Sequence, residues 1–272
     1  MPTNSASVVA ARSVPSGRGW QWIVDAWTLT AGSRPLFLGL VVGFMAAAIA
    51  ASIVPFVGTL LVGVLTPVFE AGLILGCDAL RRGEPLRVDH LFAGFERQTR
   101  RLVMLGGVSV AAGLVMLAIA AAIVGPEALR PLLSGIAPAP DHVAGIFIRL
   151  LLVVLVVLAL SVPLYMATWF AVPLIALRGV GVGAALAASF AGCRNNMWPF
   201  LVWSVAVLLL AIVPFLPFLL AVAMHLPIML MLVSTLPLLL GCIALAALFF
   251  ASMYTSYRDV FGGEDEMTPA TR

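Results

Sequence analysis

The chain has 272 residues, of which 62% are hydrophobic and only 10% are charged, with a formal net charge of +3. An average soluble domain is about 45–50% apolar and about 25% charged, and a soluble fold lacks the polar surface to cover so many apolar side chains. The composition therefore excludes a soluble globular protein and predicts a chain whose main solvent is lipid.

The first part of the chain is polar and then becomes amphipathic. Residues 1–19 contain no apolar run of signal-peptide type, so we expect a disordered cytoplasmic tail there. In the next segment Trp20, Ile23 and Trp27 share one helical face and polar side chains occupy another. This pattern predicts a helix that lies in the membrane interface.

Six apolar runs follow, each long enough for a transmembrane helix, which needs about 20 residues. They lie near 36–54, 57–77, 102–124, 145–177, 199–222 and 227–256. We therefore predict an all-α fold, with one six-helix transmembrane domain over 20–258 and interfacial amphipathic helices on its cytoplasmic side. The polar residues 259–272 should form a disordered acidic cytoplasmic tail.

The arginines predict the orientation of these spans. The chain contains no lysine, and its basic side chains are 15 arginines. With the N-terminus in the cytoplasm, Arg130 and Arg149 fall on the outer side, which leaves 13 of the 15 on the cytoplasmic side. Basic residues concentrate in cytoplasmic loops, so both termini are predicted to be cytoplasmic.

Aromatic side chains near the ends of the predicted helices are candidates for interfacial anchors, because tryptophan and tyrosine are enriched at headgroup depth. The six candidates are Trp20, Trp22, Trp27, Trp198, Tyr254 and Tyr257.

Short strings recur at similar positions relative to the spans. "IVPF" occurs at 53–56 and 212–215, each time between two spans, and "FAG" occurs at 92–94 and 190–192, each time shortly before a span. The pattern favours three copies of one unit, an interfacial helix followed by a transmembrane hairpin, which would start near 20, 88 and 183. Chance matching in a chain rich in alanine and leucine is the alternative.

Several longer strings resemble a known group of proteins. They are "GRGWQWIVDAW", "PFVGTLLVGVLTPVFEAGL", "LFAGF", "SFAGCRNNMWPF" and "YRDVFGG". Together they resemble uncharacterised bacterial six-span inner-membrane proteins that are distantly similar to the membrane domain of some glycerophosphodiester phosphodiesterases. The resemblance implies a membrane fold and an inner-membrane location, and it brings neither a catalytic residue nor a substrate.

The second span contains a carboxylate, Glu70, which shares one helical stripe with Thr66. A charge at mid-span costs about 2.5–3.5 kcal/mol on the insertion scale. Three interpretations are open. Glu70 could be a protonated structural group that bonds to Thr66 or to carbonyls freed by Pro67, it could pair with Arg34 or Arg178, or it could belong to a proton or cation relay.

Arginines after the second span and before the fifth form a second candidate site. They are Arg81, Arg82, Arg97, Arg100, Arg101 and Arg194. Their simplest role is to set topology, and the alternative is a surface for anionic lipid headgroups, which basic juxtamembrane clusters attract.

These features favour a non-enzymatic inner-membrane protein that interacts with lipids or acts as a scaffold for partner membrane proteins. The first alternative is a small-solute or ion transporter that uses Glu70. A membrane enzyme is the least favoured, and it would need convergence of six polar residues, Asp78, Arg81, His90, Arg194, Asn195 and Asn196. We expect no cofactor, no metal and no nucleic-acid partner.

Overall fold

The computed structural model describes residues 11–134 and 140–262, within which the fold is helical and contains no strand. The helices are α1 (Arg18–Leu29), α2 (Arg34–Ser52), α3 (Val57–Arg81), α4 (Ala93–Glu96), α5 (Thr99–Ser134), α6 (Pro140–Thr168), α7 (Ala171–Arg178), α8 (Val182–Asn195), α9 (Met197–Ala223) and α10 (Ile228–Phe261). Short 3-10 helices occupy Ala31–Ser33 and Val88–Phe92.

Within residues 11–134 and 140–262, six helical segments are long and apolar enough to cross a membrane, and they confirm the predicted all-α fold with six spans. They are Ala31–Ser52, Val57–Arg81, Thr99–Pro126, Ala144–Arg178, Met197–Ala223 and Ile228–Phe261.

Two interruptions shape these spans. Gly125 adopts φ 70° and ψ 167° inside α5, a conformation that glycine tolerates at little cost, and it ends the third span. The fourth span is broken at Trp169 and Phe170, so that α6 and α7 are separate helices.

The three predicted units pack in a cyclic order. The short helix of the second unit, α4, lies on α3 of the first hairpin, and α8 lies on α6 and α7 of the second hairpin. The remaining short helix, α1, lies on α10 and α9 of the third hairpin. Each short helix thus contacts the hairpin that precedes it in this division of the chain, and the contact between α1 and α10 closes the ring.

One end of the bundle collects the short helices and the basic side chains. The last turns of α3, α7 and α10 carry Arg81, Arg178 and Arg258, and α4, α8 and α1 pack on these same three helices. We call this side the arginine-rich end. The fully buried side chains, among them Trp22 and Phe170, lie mostly in this half, whereas the opposite halves of the spans expose large apolar side chains such as Leu158 and Val213.

Both predicted tails are shorter in the structure than the sequence predicted. Residues 11–17 do not form part of a free tail, because the Arg12 N–H donates to the Val260 carbonyl over 3.0 Å. At the other end α10 continues to Phe261, and the Asp259 carboxylate accepts hydrogen bonds from α1. The sequence could not show this, because the contacting groups are more than 200 residues apart in the chain. Residues 1–10 and 263–272 of the two predicted tails lie outside the described residues.

Candidate functional site

Glu70 lines a cavity of about 140 Å³ in the interior of the bundle. The cavity is enclosed by α3, α5, α10 and the broken fourth span, so that spans from all three units contribute to its wall. Its polar lining comes from Thr66, Glu70, Ser109, Tyr165 and Thr168. The volume is sufficient for several water molecules or one small ion.

The three aliphatic hydroxyl groups in this lining each donate a hydrogen bond to a backbone carbonyl of their own helix. Thr66 donates to the Val62 carbonyl over 2.8 Å, Ser109 to the Leu105 carbonyl over 3.1 Å, and Thr168 to the Leu164 carbonyl over 3.0 Å. Because a hydroxyl has one donor and two acceptor lone pairs, these oxygens can only accept hydrogen bonds or coordinate a cation. The cavity therefore presents acceptors and few donors.

None of the partners predicted for Glu70 reaches it. Thr66 is engaged with Val62, Arg34 stacks on the Trp27 ring at 3.7 Å, and Arg178 donates to the Phe261 carbonyl. Within the described residues, no hydrogen bond or ion pair involves Glu70. A relay would need further polar groups from the spans. Thr168 lies in the cavity, whereas Ser161, Ser204, Ser234 and Thr235 are not in its lining.

The break in the fourth span forms one wall of the cavity and is held by a serine of α8. Ser189 Oγ accepts a hydrogen bond from the Phe170 N–H over 2.9 Å and donates to the Met166 carbonyl over 2.7 Å. Trp169 donates from Nε1 to Ser256 Oγ on α10 over 3.1 Å. These bonds satisfy backbone groups that the break exposes, and they fix Thr168 and Trp169 in the cavity wall.

The sequence analysis did not identify Ser189, Ser109 and Tyr165 as site residues. A serine or tyrosine in an apolar run does not indicate whether its side chain faces a cavity, a neighbouring helix or lipid.

A separate polar cluster joins α1 to the end of α10. The Asp259 carboxylate accepts hydrogen bonds from Arg18 Nε over 2.6 Å and from Trp22 Nε1 over 2.9 Å, and it pairs with Arg12 at 3.3 Å. Arg18 also pairs with Asp25 at 3.3 Å. Burial raises the pKa of Asp25 above its usual value, and the neighbouring Arg18 opposes that shift. The charges in this cluster compensate one another, which is typical of a structural clamp.

The six candidate headgroup arginines differ in what they contact. Arg82 pairs with Asp78 and Glu84, at 3.3 and 3.1 Å. Arg101 is half-buried and donates to the Gly179 carbonyl and to Gln98. Arg81 is half-buried at the end of α3. The remaining three are exposed, and they are Arg97, Arg100 and Arg194.

Three of the six predicted interfacial anchors are wrong, because they lie in the core. Trp22 and Tyr254 are fully buried and donate to Asp259 and Asp78, and Tyr257 is buried against Phe261. In sequence these side chains are typical of interfacial anchors, but in the fold the polar atoms of Trp22 and Tyr254 donate to carboxylates of other helices. Trp20, Trp27 and Trp198 are exposed.

An apolar groove between α2 and α10 opens beneath Trp27 and Arg34. Its volume is about 130 Å³, and small side chains of α10, such as Ala244 and Ala247, line one wall. Arg34 lies over the Trp27 ring and donates to the Trp27 carbonyl over 3.2 Å, while its buried Nε has no hydrogen-bond partner. The groove thus has an apolar floor and a basic group at its mouth.

Three of the six polar residues that an enzyme would need are engaged with groups outside that set in the described residues. Asp78 accepts from Tyr254, His90 Nδ1 accepts from the Arg87 N–H, and Asn196 bonds to the backbone of the 11–17 segment and of α8. Across the described ranges, no group of three or more His, Cys, Asp and Glu side chains is arranged to hold a metal ion.

The chain is similar along nearly its whole length to a probable inner membrane protein of Burkholderia thailandensis. The two are 25% identical over 264 residues, which cover 94% of this chain and 95% of the relative. No family model matches the chain, and no solved structure matches it. Together with the six apolar helices, the relative identifies the chain as a multi-pass protein of the bacterial inner membrane.

Proposed function

We propose that the protein is a non-enzymatic, lipid-interacting protein of the inner membrane, which binds anionic headgroups at its arginine-rich end. The observation that carries this proposal is that all three units expose an aromatic side chain at that end, with an arginine that stacks on it in the first unit and lies within four residues of it in sequence in the other two. In the first unit Arg34 stacks on Trp27. In the second, exposed Phe95 precedes Arg97, and in the third, exposed Trp198 follows Arg194.

The chemistry of these pairs suits a phospholipid interface. Aromatic rings prefer the headgroup region of the membrane, and arginine offers several donors in a planar fork that matches phosphate oxygens. A basic side chain near an anionic membrane surface contributes about 1 kcal/mol. Three exposed arginines would then favour anionic over zwitterionic headgroups by about 3 kcal/mol, or roughly a hundredfold in affinity.

The proposal includes the orientation of the protein. Positive charge concentrates on the cytoplasmic side of inner-membrane proteins, so the arginine-rich end and both termini would face the cytoplasm. Fusions of a periplasm-specific reporter enzyme to each terminus test this orientation. Activity at either terminus would contradict it.

Native mass spectrometry of the protein in micelles with mixed lipids tests headgroup binding. We expect bound anionic phospholipid in preference to zwitterionic phospholipid, with the preference weakened by salt because exposed charges are screened. A triple glutamine variant of Arg97, Arg100 and Arg194 should lose most of this preference. The triple lysine variant is the matched control, because it keeps the charge and should keep most of the binding. Equal lipid preference in all three proteins would contradict the proposal.

The groove between α2 and α10 is the place where one lipid would bind most tightly. Its apolar floor fits part of an acyl chain, and the guanidinium of Arg34 at its mouth fits a phosphodiester oxygen. Ala244 is exposed and lines the groove, so Ala244→Leu should fill it without disturbing the core. We expect Ala244→Leu and Arg34→Gln each to reduce by one the number of phospholipids that survive delipidation, and an unchanged number would exclude this groove.

We also propose that partner membrane proteins bind at the arginine-rich end, where the protein would act as a scaffold. The resemblance to the membrane domain of some glycerophosphodiester phosphodiesterases also belongs here, and it is in keeping with a role near phospholipids. Crosslinking in native membranes, with wild type and the triple glutamine variant compared, tests whether a partner binds this face.

The cavity at Glu70 favours a second candidate function, a transporter of a small solute or ion. A membrane-embedded carboxylate that faces a cavity is a common feature of ion pathways. If Glu70 couples transport to a cation, Glu70→Gln proteoliposomes should lose cation-driven uptake that wild type shows. Equal uptake by the two proteins would remove Glu70 from any transport mechanism.

A further inference from the structure

The Glu70 cavity contains more hydrogen-bond acceptors than its lining can satisfy. Its hydroxyl groups at Thr66, Ser109 and Thr168 already donate their protons within their own helices. Pro67 lacks an N–H, so the carbonyl of Gly63, which also lines the cavity, loses its usual helical donor. Apart from the Tyr165 hydroxyl, the polar side chains of the lining have no proton left to donate when Glu70 is ionised, and the lining carries no positive charge. A cationic ligand would supply that charge.

The charge of the lining limits what that ligand can be. Glu70 is the single ionisable carboxylate in the cavity lining, and within the described residues it has no ion-pair partner. One carboxylate neutralises one positive charge, whereas a divalent ion would leave an uncompensated charge in a low-dielectric interior at high cost. An anion would meet the carboxylate directly and is excluded by repulsion.

We propose that this cavity binds one small monovalent metal cation of the size of Na⁺. The Glu70 carboxylate supplies the negative charge, and the hydroxyl oxygens of Thr66, Ser109 and Thr168, together with the Gly63 carbonyl, supply neutral oxygen ligands. Broken helices that enclose oxygen-lined cavities hold monovalent cations in this way in membrane proteins. The break between α6 and α7 places Thr168 in the cavity wall and so completes the set of ligands.

A cation at this position competes with a proton for the same carboxylate. The groups that face Glu70 from the surrounding helices are Leu105 and Ser109 of α5, Tyr165, Thr168 and Trp169 of the α6 end, Val172 of α7, and Phe249 and Met253 of α10. Tyr165 is the one other titratable side chain in that set. Binding of Na⁺ should therefore weaken as the pH falls and Glu70 takes up a proton.

The cation site is independent of the proposed lipid binding, and the experiment keeps the two apart. The melting temperature of the full chain is measured in nanodiscs of fixed lipid composition while Na⁺ is titrated, with choline as the ionic-strength control. We expect a saturable rise of a few degrees with Na⁺ and none with choline, and a half-saturating Na⁺ concentration that increases at lower pH. The triple glutamine variant of the exposed arginines should keep the whole Na⁺ response.

Glu70→Gln is the decisive variant, because it keeps the shape of the side chain and removes the charge. We expect it to lose the Na⁺ response, while Glu96→Gln, the same change at an exposed position outside the spans, retains it. If Glu70→Gln does not fold, Ser109→Ala and Thr168→Ala replace it, and each should raise the half-saturating Na⁺ concentration several-fold. An equal response to Na⁺ and choline in wild type, or an unchanged Na⁺ response in every cavity variant, overturns the proposal.

Discussion

The contact between the first and the last helix includes a carboxylate that binds three side chains. Asp259 sits near the end of α10 with 10% of its side chain exposed, and it receives hydrogen bonds from Arg18 and Trp22 and an ion pair from Arg12. These partners lie more than 200 residues away in the chain. We predict that Asp259→Ala releases α1 and the segment before it from α10.

The size of the effect follows from how exposed each partner is. Arg12 and Arg18 are each about one-third exposed in their side chains, so each pair contributes at the level of a partly solvated ion pair, about 0.5–1 kcal/mol. Trp22 is fully buried, and leaving its N–H without an acceptor costs about 1–3 kcal/mol. The sum for Asp259→Ala is about 3 kcal/mol. Asp259→Asn keeps an acceptor for Trp22 and should cost about 1 kcal/mol.

Two measurements test this prediction. Unfolding in mixed micelles gives the change in stability, and trypsin cleavage after Arg12 and Arg18 reports release of the N-terminal segment. Asp89→Ala is the matched control, because Asp89 pairs with Arg87 but is 78% exposed in its side chain, and it should change stability by no more than about 0.5 kcal/mol. Equal stability and equal cleavage rates for Asp259→Ala and Asp89→Ala would refute the reasoning.

Three further predictions concern packing and reactivity. Gly94→Ala would place a Cβ 2.0 Å from a backbone carbonyl of α3, so we expect a loss of several kcal/mol or no folded protein, whereas Gly107→Ala meets nothing within 4 Å and should be tolerated in a melting experiment. Ser189→Ala removes both hydrogen bonds that hold the break between α6 and α7 and should lower stability by about 1–3 kcal/mol, as measured by the same unfolding titration. Burial raises the pKa of Cys193 to about 12, so in the folded protein it should react with a maleimide at neutral pH far more slowly than in the unfolded chain.

The six spans were predictable because the hydrocarbon layer imposes a length and a composition that a single sequence displays. A run of about 20 apolar residues with few charges is typical of a transmembrane helix. The break in the fourth span was less visible, since Pro163 and Pro173 lie on either side of it and neither occupies it. The chain breaks instead at Trp169 and Phe170, where Ser189 of the following helix α8 forms hydrogen bonds with the freed backbone groups.

The candidate site was predictable only in part, and for a physical reason. A lone carboxylate in an apolar run is conspicuous, so Glu70 was found. Its neighbours are ordinary helix residues, and their importance depends on which helix faces pack together.

The aromatic residues show the same limit. Trp22 and Trp27 lie on one short helix, yet one is fully buried and the other is 55% exposed, because α10 covers only one side of α1.

The cyclic packing explains why buried charge collects at Asp259. In the second and third units, a short connection joins the preceding hairpin to the short helix. Residues 82–87 lead from α3 to the 3-10 helix before α4, and residues 179–181 lead from α7 to α8. The chain itself therefore holds each of those helices near its packing surface, at a small entropic cost. No such connection joins α10 to α1, so this third contact depends on packing and on hydrogen bonds between distant parts of the chain, among them the bond from the Arg12 N–H to the Val260 carbonyl. The largely buried Asp259 carboxylate accepts hydrogen bonds from two arginines and a tryptophan, and such bonds are directional as well as attractive. Apolar packing alone is non-directional, so it would allow α1 to slide along α10.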